Sequence, residues 1–338
     1  MRLARVLGRL CAAGLLAGSA LVRAEAPPAE LELLAALPVA GMPAGNLSGL
    51  ARCGDGALWA VSDRDDDRLY RLTPVDGQWQ ALEQRFAAPP PPSGALPWGL
   101  RTGNRLLGLL RGGALDFEEV ACDAAGNRYL LSESEVAVLV LPAATASHAA
   151  PYWLDLPAPL LRQARARGLL LHFNALAEGL AVQPDGQRLW LAAEREGRGL
   201  LAVQRTVDGW RCPAQGCVLL AENGRARRPL DPPDSAEQPL DFTALAWHRD
   251  RLFTLERLQH RLCRRQPETG AVERCWSFAA AALAPERRYA TPYGVAEALW
   301  LDDDAAWIGL DNNNEANAAG ESRPLVLQFK APPGGWSR

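Results

Sequence analysis

Residues 309–317, GLDNNNEAN, concentrate oxygen-bearing side chains directly after an apolar run, AAWI. Five of these nine residues are Asp or Asn, and a sixth is Glu. Asn and Asp side chains bond their own backbone and tolerate left-handed geometry, so turn formation alone accounts for the composition. Ligation of Ca²⁺, which takes several oxygen ligands, accounts for it as well. Both interpretations predict that AAWI is a buried strand and that the polar stretch follows its end.

Acidic residues end other predicted strands in the same way. The five strand-end acids are Asp63, Glu133, Glu194, Glu256 and Asp311. If these strands belong to repeats of one unit, the acids converge, and converging carboxylates must bind cations, pair with Arg or take up protons. We predict that they bind Ca²⁺, with Asn312 and Asn313 adding amide oxygens. The alternative is a structural role, in which the acids cap turns or link neighbouring units.

Arginine directly follows three of these acids, in Asp63-Arg64, Glu194-Arg195 and Glu256-Arg257. Such pairs could form a ring of ion pairs that holds the fold. They could also leave guanidinium groups to bind phosphate in bidentate geometry, which suits the planar Arg fork. We therefore predict that Arg64, Arg195 and Arg257 bind the substrate.

A second recurring position precedes the first strand of each predicted unit. It is occupied by Ser48, Glu118, Glu178, Thr243 and Tyr293. Only Glu118 and Glu178 are acidic there, so every unit has a strand-end acid but only two units have an acid at this position.

These positions belong to five similar stretches, which begin at Leu47, Asp116, Ala175, Asp241 and Thr291. Each has a small apolar core such as GLA or EVA, a polar turn, and a strand that ends near an acid. Repeats about 50 to 70 residues apart, with few long helical patterns, predict an all-β fold built of propeller blades. We predict one domain over residues 25–338, a β-propeller of six blades.

The remaining sequence supplies the outer strands and the closure of the ring. RLYRLTPVDGQWQAL and RLCRRQPETGAVERCWSF each read as two further strands of a blade, and a helix is predicted over residues 159–167. The segments LELLAALPVA and RPLVLQFKA, near the two ends of the chain, are predicted to pair with each other and close the ring. Closure removes the exposed edges that a sheet must otherwise protect.

The N-terminus predicts export. Arg2, Arg5 and Arg9 precede a largely apolar run, and the pattern is typical of a signal peptide over residues 1–24. No later segment reaches the length of a membrane span. We expect a periplasmic or secreted protein with no membrane anchor.

Six cysteines follow the predicted signal peptide: Cys53, Cys122, Cys212, Cys217, Cys263 and Cys275. An even number in an exported chain indicates disulfides. Spacing favours a tight loop between the third and fourth and a hairpin bridge between the fifth and sixth, which leaves the first two as a pair. Zinc is the alternative, but no Cys-x-x-Cys occurs.

Composition and missing motifs exclude other function classes. The formal net charge of −3 provides no basic field to attract nucleic acid. No Gly-x-Ser-x-Gly is present, and the four histidines are isolated, so Ser-His catalysis has little support. We expect a monomer.

The ordered set LSGLA…AVSDRD, DFEEVA…LLSESE, NALAEGLAVQPDG…AAERE, TALAW…TLERL and IGLDNNN resembles the phytase-like family, also described as the esterase-like activity of phytase family. The resemblance runs from about residue 47 to residue 314. It implies an exported β-propeller that hydrolyses a small-molecule ester or phosphoester, with Ca²⁺ as a candidate cofactor. The last unit, PYGVAEAL, departs from it because Tyr293 replaces the usual acid before Gly.

With that reaction in view, Glu118 and Glu178 become the candidate general bases, since burial among like charges raises a carboxyl pKa. Ca²⁺ would polarise the phosphoryl oxygen, and Arg would bind the anion. The alternative is a non-catalytic propeller stabilised by Ca²⁺ that binds a ligand or a protein, because fold does not imply function.

Overall fold

The structure is a computed structural model that describes residues 27–42, 46–92, 96–103, 113–143, 149–292, 294–313 and 315–338. The predicted signal peptide and Tyr293 lie outside these ranges. Helix α1 (Pro159–Ala166) confirms the predicted helix, and α2 (Ala279–Ala282) is a single turn. Across the described residues, no helix has the length and apolar character needed to cross a membrane.

Antiparallel sheets dominate the fold, and we number them as blades 1 to 5 along the chain. Blade 1 contains β3 (Gly49–Arg52), β4 (Leu58–Val61), β5 (Arg68–Val75) and β6 (Gln78–Arg85). Blade 2 contains β7 (Phe117–Cys122), β8 (Arg128–Ser132), β9 (Ala137–Leu141) and β10 (Tyr152–Trp153). Blade 3 contains β11 (Ala177–Val182), β12 (Arg188–Ala193), β13 (Arg198–Thr206), β14 (Gly209–Arg211) and β15 (Val218–Glu222).

Blade 4 contains β18 (Ala244–His248), β19 (Arg251–Glu256), β20 (Arg261–Arg265) and β21 (Val272–Ser277), with β1 (Ala29–Glu30) added in parallel at its edge. Blade 5 contains β22 (Ala296–Leu301), β23 (Ala305–Leu310), β24 (Leu325–Lys330) and β2 (Leu33–Ala40). A ribbon of β16 (Arg225–Ala226) and β17 (Gln238–Pro239) lies between blades 3 and 4 in sequence.

The first strands of the five blades form a ring around a central channel. β3 contacts β7, β7 contacts β11, β11 contacts β18, β18 contacts β22, and β22 contacts β3 again. The described chain is therefore an all-β propeller, as predicted. Six blades are not confirmed, because this ring already closes with five, and the long interval over residues 207–243 folds into outer strands and the ribbon instead of a blade.

The two ends of the chain meet in blade 5. β2 pairs antiparallel with β24, which confirms the predicted closure. β2 also pairs in parallel with β6, with Val39 opposite Trp79, so one continuous sheet runs from blade 5 into blade 1. This seam removes two strand edges that would otherwise be exposed.

The core lies between neighbouring blades, where five buried hydrophobic clusters occur in the described chain. Each sheet packs on both faces, so its central strands are continuous apolar runs instead of alternating patterns. All five residues of β9 and all six of β23 are buried. The prediction that AAWI forms a buried strand is therefore confirmed.

All three predicted disulfides are present: Cys53–Cys122, Cys212–Cys217 and Cys263–Cys275. The first joins blades 1 and 2, and the last joins opposite residues of β20 and β21. Disulfides of this kind are typical of extracellular or periplasmic proteins.

Candidate functional site

Three of the innermost strands carry a β-bulge at an acidic residue. The pairing register shifts at Glu118 in β7, at Glu178 in β11 and at Glu297 in β22. A bulge leaves one residue unpaired and re-aims its side chain. The three carboxylates line the same cavity at one mouth of the channel.

Glu297 was missed in the sequence, where Tyr293 was assigned to this position. The pairing register shows that AEAL of the last blade corresponds to FEEV and AEGL in blades 2 and 3. The acid of this position is therefore Glu297, four residues after Tyr293, which was predicted because it precedes a glycine. Ser48 and Thr243 hold the same place in blades 1 and 4, where their backbone N–H groups bond Val61 and Leu255. Three blades, not two, therefore place an acid here.

The strand-end acids divide into two groups. Asp63, Glu133 and Asp311 line the cavity, and Glu194 lies fully buried beside it. Glu256 lies apart from the cavity. It comes one residue earlier in its strand than the acids of the other blades do, and successive side chains of a strand point to opposite faces. The next residue, Arg257, occupies the place in blade 4 that acids occupy in the other four blades.

Glu256 is enclosed by three arginines instead. Arg198 donates to it over 2.9 Å, and Arg261 and Arg265 each approach it to 2.7 Å. Although burial opposes ionisation, these three guanidinium groups hold the pKa of Glu256 below its usual value. The predicted metal-ligand role therefore lacks the expected geometry, and Glu256 serves as the centre of a structural ion cluster.

The cavity has a volume of about 260 Å³ and a strongly polar lining. Its carboxylates are those of Asp63, Glu118, Glu133, Glu178, Glu297, Asp311 and Glu315. Its guanidinium groups are those of Arg64, Arg195 and Arg257, the three predicted from the sequence. The predicted site residues other than Glu194, Glu256 and Asn312 are thus brought together around one space.

In the part of the chain that the structure describes, two groups of three carboxylates are close enough to share a cation. Ligand oxygens of Asp63, Asp116 and Glu118 lie within 4.8 Å of one another, and so do those of Glu133, Glu178 and Glu194. In the second group, Oε2 of Glu178 and Oε2 of Glu194 are buried and have no hydrogen-bond partner among the described residues. Buried carboxylate oxygens that receive no hydrogen bond are suited to ligate a cation.

Burial and mutual repulsion raise the pKa values of three carboxylates that line the cavity. Burial raises the pKa of Glu178 to about 8, with Glu297 adding to the effect and Arg257 opposing it. Burial and the Glu178 charge raise the pKa of Glu133 to about 7. For Glu118, burial, Asp116 and Asp63 place the pKa well above its usual value. Such shifts show that the site favours an added positive charge, either protons or a cation.

The three arginines differ in accessibility. Arg257 has a side chain only 2% exposed and bonds Glu194 over 2.7 Å and Asp241 over 3.2 Å, as well as Glu297. Arg64 contacts Asp63 and is 23% exposed. Arg195 contacts Glu194, is 27% exposed, and donates to the Asn174 carbonyl over 2.7 Å. Arg64 and Arg195 are therefore the groups that a substrate could reach.

The DNNN stretch combines turn formation with a place at the cavity. Asp311 accepts the backbone N–H of Asn313 over 2.9 Å, which is the turn bonding expected of Asp. Asn312 donates to the carbonyls of Glu315 and Ser322 and closes the loop. The Asn313 amide oxygen accepts from Arg64 over 3.2 Å, and Asn313, not Asn312, lines the cavity.

Glu119 is a buried residue of β7 that no motif in the sequence singles out. It is fully buried, and its Oε1 accepts the backbone N–H of Val120 over 3.1 Å. A Cβ at Gly49 would lie 2.7 Å from Glu119 Oε1, so only glycine allows this close approach. Burial raises the pKa of Glu119 well above its usual value.

Structure comparison finds solved proteins that match this chain at low sequence identity. A catalytically inactive variant of virginiamycin B lyase from Staphylococcus aureus, solved with quinupristin, matches with a TM-score of 0.37 at 9% identity, over 86% of this chain and 68% of the lyase. The PQQ-bound aldose sugar dehydrogenase from Streptomyces coelicolor matches with a TM-score of 0.45 at 13% identity, over 90% of this chain and 99% of the dehydrogenase. Likeness at this level says nothing about the reaction.

A search of curated proteins gave no significant match. The family model described as Phytase-like, esterase-like activity of phytase, matches residues 42–260, which is well over half of the chain. The matched region contains blades 1 to 3 and the inner strands of blade 4, and with them most of the acids and all three arginines of the cavity. The chain therefore belongs to the phytase-like family, whose description is esterase-like activity of phytase.

Proposed function

We propose that the protein is an exported hydrolase of esters or phosphoesters that works with a divalent cation, Ca²⁺, at the acid-lined cavity. The observation that carries this proposal is the convergence of seven carboxylates and three guanidinium groups on one cavity of about 260 Å³. Hydrolysis of an ester needs an acid or base, an anion binder and a stabiliser of developing negative charge. The cavity provides candidates for each.

The donor set fits a hard divalent cation. Carboxylate oxygens are the ligands that Ca²⁺ prefers, and the buried Oε2 atoms of Glu178 and Glu194 have no hydrogen-bond partner in the described residues. Glu133, Glu178 and Glu194 would hold the ion, with Asp63, Asp116 and Glu118 as a second group of the same kind. A bound divalent cation supplies Lewis-acid polarisation of a phosphoryl or carbonyl oxygen.

The chain's own side chains would do the rest. Arg64 and Arg195 are partly exposed on the lining and are placed to bind the anionic part of a substrate. With the ion held by Glu133, Glu178 and Glu194, Glu118 is the candidate general acid–base group, and its pKa lies well above the usual value. With the ion in the group of Asp63, Asp116 and Glu118, that role falls to Glu178, whose pKa is raised to about 8. A group that exchanges its proton near neutral pH suits general acid–base catalysis.

Thermal unfolding of the mature protein in chelator and in millimolar Ca²⁺ tests the cation site. Specific binding stabilises the fold by about 4 kcal/mol at a thousandfold excess over the dissociation constant. We expect this stabilisation to be lost in Glu178→Gln and kept in Glu222→Gln, which lies outside the cavity. Hydrolysis of a chromogenic phosphate ester and a chromogenic carboxylic ester, with and without Ca²⁺, then tests the reaction.

A non-catalytic role is the second candidate, and one observation favours it. Arg257 is buried against Glu194, Asp241 and Glu297, so part of the acid ring is already neutralised inside the protein. A propeller stabilised in this way and by Ca²⁺ could serve to bind a ligand or a protein. Ca²⁺ stabilisation without hydrolysis of either ester would favour this function.

A further inference from the structure

The cavity is small and strongly acidic, which favours a small reacting group over a large or highly charged one. Its volume of about 260 Å³ is below the roughly 300 Å³ at which pockets for drug-sized ligands begin. Among the described residues, its lining has four more carboxylates than guanidinium groups. One or two divalent cations would offset this charge without leaving the excess of positive charge that a polyphosphorylated molecule needs. The reacting ester group can therefore enter, but the rest of the substrate must lie outside.

Large apolar side chains are exposed in the loop that leads to Asn174 of the cavity and in a neighbouring helical segment. We call Trp98, Leu171 and Phe173 the apolar rim; they are 81%, 39% and 44% exposed. Residues 98–103 are helical, and Gly103 at the end of this segment packs on Phe173, because a Cβ there would lie 3.2 Å from the Phe173 ring. Exposed apolar side chains grouped in this way mark ligand-binding surfaces more often than single exposed residues do.

The apolar rim is continuous with the cavity through the backbone. Phe173 precedes Asn174, which lines the cavity and whose carbonyl accepts a hydrogen bond from Arg195 over 2.7 Å. At the other end of this loop, Arg165 donates to the carbonyl of Leu170 over 2.6 Å. The loop is thus tied down on both sides of Leu171 and Phe173, so its exposed apolar side chains keep a fixed place beside Arg195.

We propose, building on the hydrolase function above, that the substrate carries a single ester or phosphoester group on an apolar, preferably aromatic, body that packs on the apolar rim. Arg195 binds the anionic group in the cavity, while Trp98 and Phe173 contact the body of the same molecule. Aromatic side chains provide large contact areas and favour stacked or edge-on partners. The substrate class is therefore a monoester with an aryl or similarly apolar substituent, not a polyphosphorylated polyol.

Two non-hydrolysable probes measure this directly. Calorimetry on the Ca²⁺-loaded protein should show phenylphosphonate binding about tenfold more tightly than methylphosphonate. Phe173→Ala and Trp98→Ala should each remove most of that difference and leave methylphosphonate affinity unchanged. Val207→Ala removes a fully exposed apolar side chain from a distant turn of blade 3 and should change neither affinity.

The outcomes separate the subsite from the reaction. Equal affinity for the two phosphonates, binding of neither, no effect of the two rim variants, or tighter binding of inositol hexakisphosphate would each overturn the apolar-rim subsite. Preference for phenylphosphonate without hydrolysis of any ester would keep the subsite and overturn the hydrolase function. Equal hydrolysis of benzyl phosphate and methyl phosphate, whose leaving alcohols have similar acidity, unchanged by Phe173→Ala, would keep the hydrolase and overturn the subsite.

Discussion

Arg257 donates a hydrogen bond to Oε1 of Glu194 over 2.7 Å, and the two side chains are 2% and 0% exposed. Arg257 holds the position in blade 4 that acids hold in the other blades, and it also bonds Asp241 and Glu297. One guanidinium group therefore serves as an internal counter-ion for three carboxylates of neighbouring blades. The fold depends on it, because like charges buried together must be compensated.

Replacing Arg257 by Met should destabilise the metal-free protein by about 3 to 5 kcal/mol, since it leaves buried carboxylates without their partner. Denaturant unfolding at pH 7 measures this loss. Arg64→Met is the matched control, because the Arg64 side chain is 23% exposed and its pair with Asp63 should contribute less than about 1 kcal/mol. Similar losses in the two variants would show that Arg257 is not a special counter-ion.

Stability in chelator should fall as the pH rises from about 5 to about 8. Burial raises the pKa of Glu133 to about 7 and that of Glu178 to about 8, from a usual value of 4.5. In that window the folded protein keeps protons that the unfolded chain has released, so each group lowers the free energy of unfolding by at most about 1.4 kcal/mol per pH unit.

Urea unfolding at four pH values between 5 and 8 gives this slope. Glu178→Gln cannot ionise, so its slope should be shallower and its stability at pH 8 should exceed that of the parent protein. A parent slope of zero, or a rise of stability with pH over this range, would contradict the raised pKa values.

Binding of Ca²⁺ should release protons, and its affinity should increase from pH 6 to pH 8. The ion and the protons compete for the same carboxylates, of which Glu178 and Glu133 hold protons near neutral pH. Calorimetry in two buffers of different ionisation enthalpy counts the protons released. A binding enthalpy that does not depend on the buffer would place the ion away from these carboxylates.

The sequence was sufficient to predict a propeller fold, because each repeat forms its strands from a short, continuous stretch of the chain. Each strand pair has its own apolar run and turn, and the seam between β2 and β24 follows from two apolar segments at the ends of the chain. The disulfides could also be predicted from spacing. Two pairs of cysteines are close in the sequence, and the pairing of Cys53 with Cys122 then remains. The number of blades did not follow, because a long interval between repeats can hold loops as well as strands.

The site was harder to predict because a shift of one residue reverses a strand's faces. Asp63, Glu133 and Asp311 line the cavity, in line with their strand-end positions in the sequence. Glu256 also ends a predicted strand, but its side chain lies on the face of β19 that points away from the cavity. Glu297 was not predicted as a site residue, although it does line the cavity. Its bulge moves it out of strict alternation, and bulges depend on pairing between strands that composition does not record.

Glu194→Gln and Glu256→Gln form a matched pair that tests this assignment of faces. Both acids are fully buried and bonded to Arg, but only Glu194 belongs to a carboxylate group beside the cavity. Both substitutions should destabilise the metal-free protein, because each weakens buried charged pairs that cost several kcal/mol to break. Ca²⁺ should still raise the unfolding temperature of Glu256→Gln by the parental amount, because its carboxylate contacts Arg198, Arg261 and Arg265 and not the cavity. In Glu194→Gln that rise should shrink, because a buried oxygen ligand loses its charge. Loss of the Ca²⁺ effect in Glu256→Gln alone would place the cation on the opposite face of β19 and move the candidate site there.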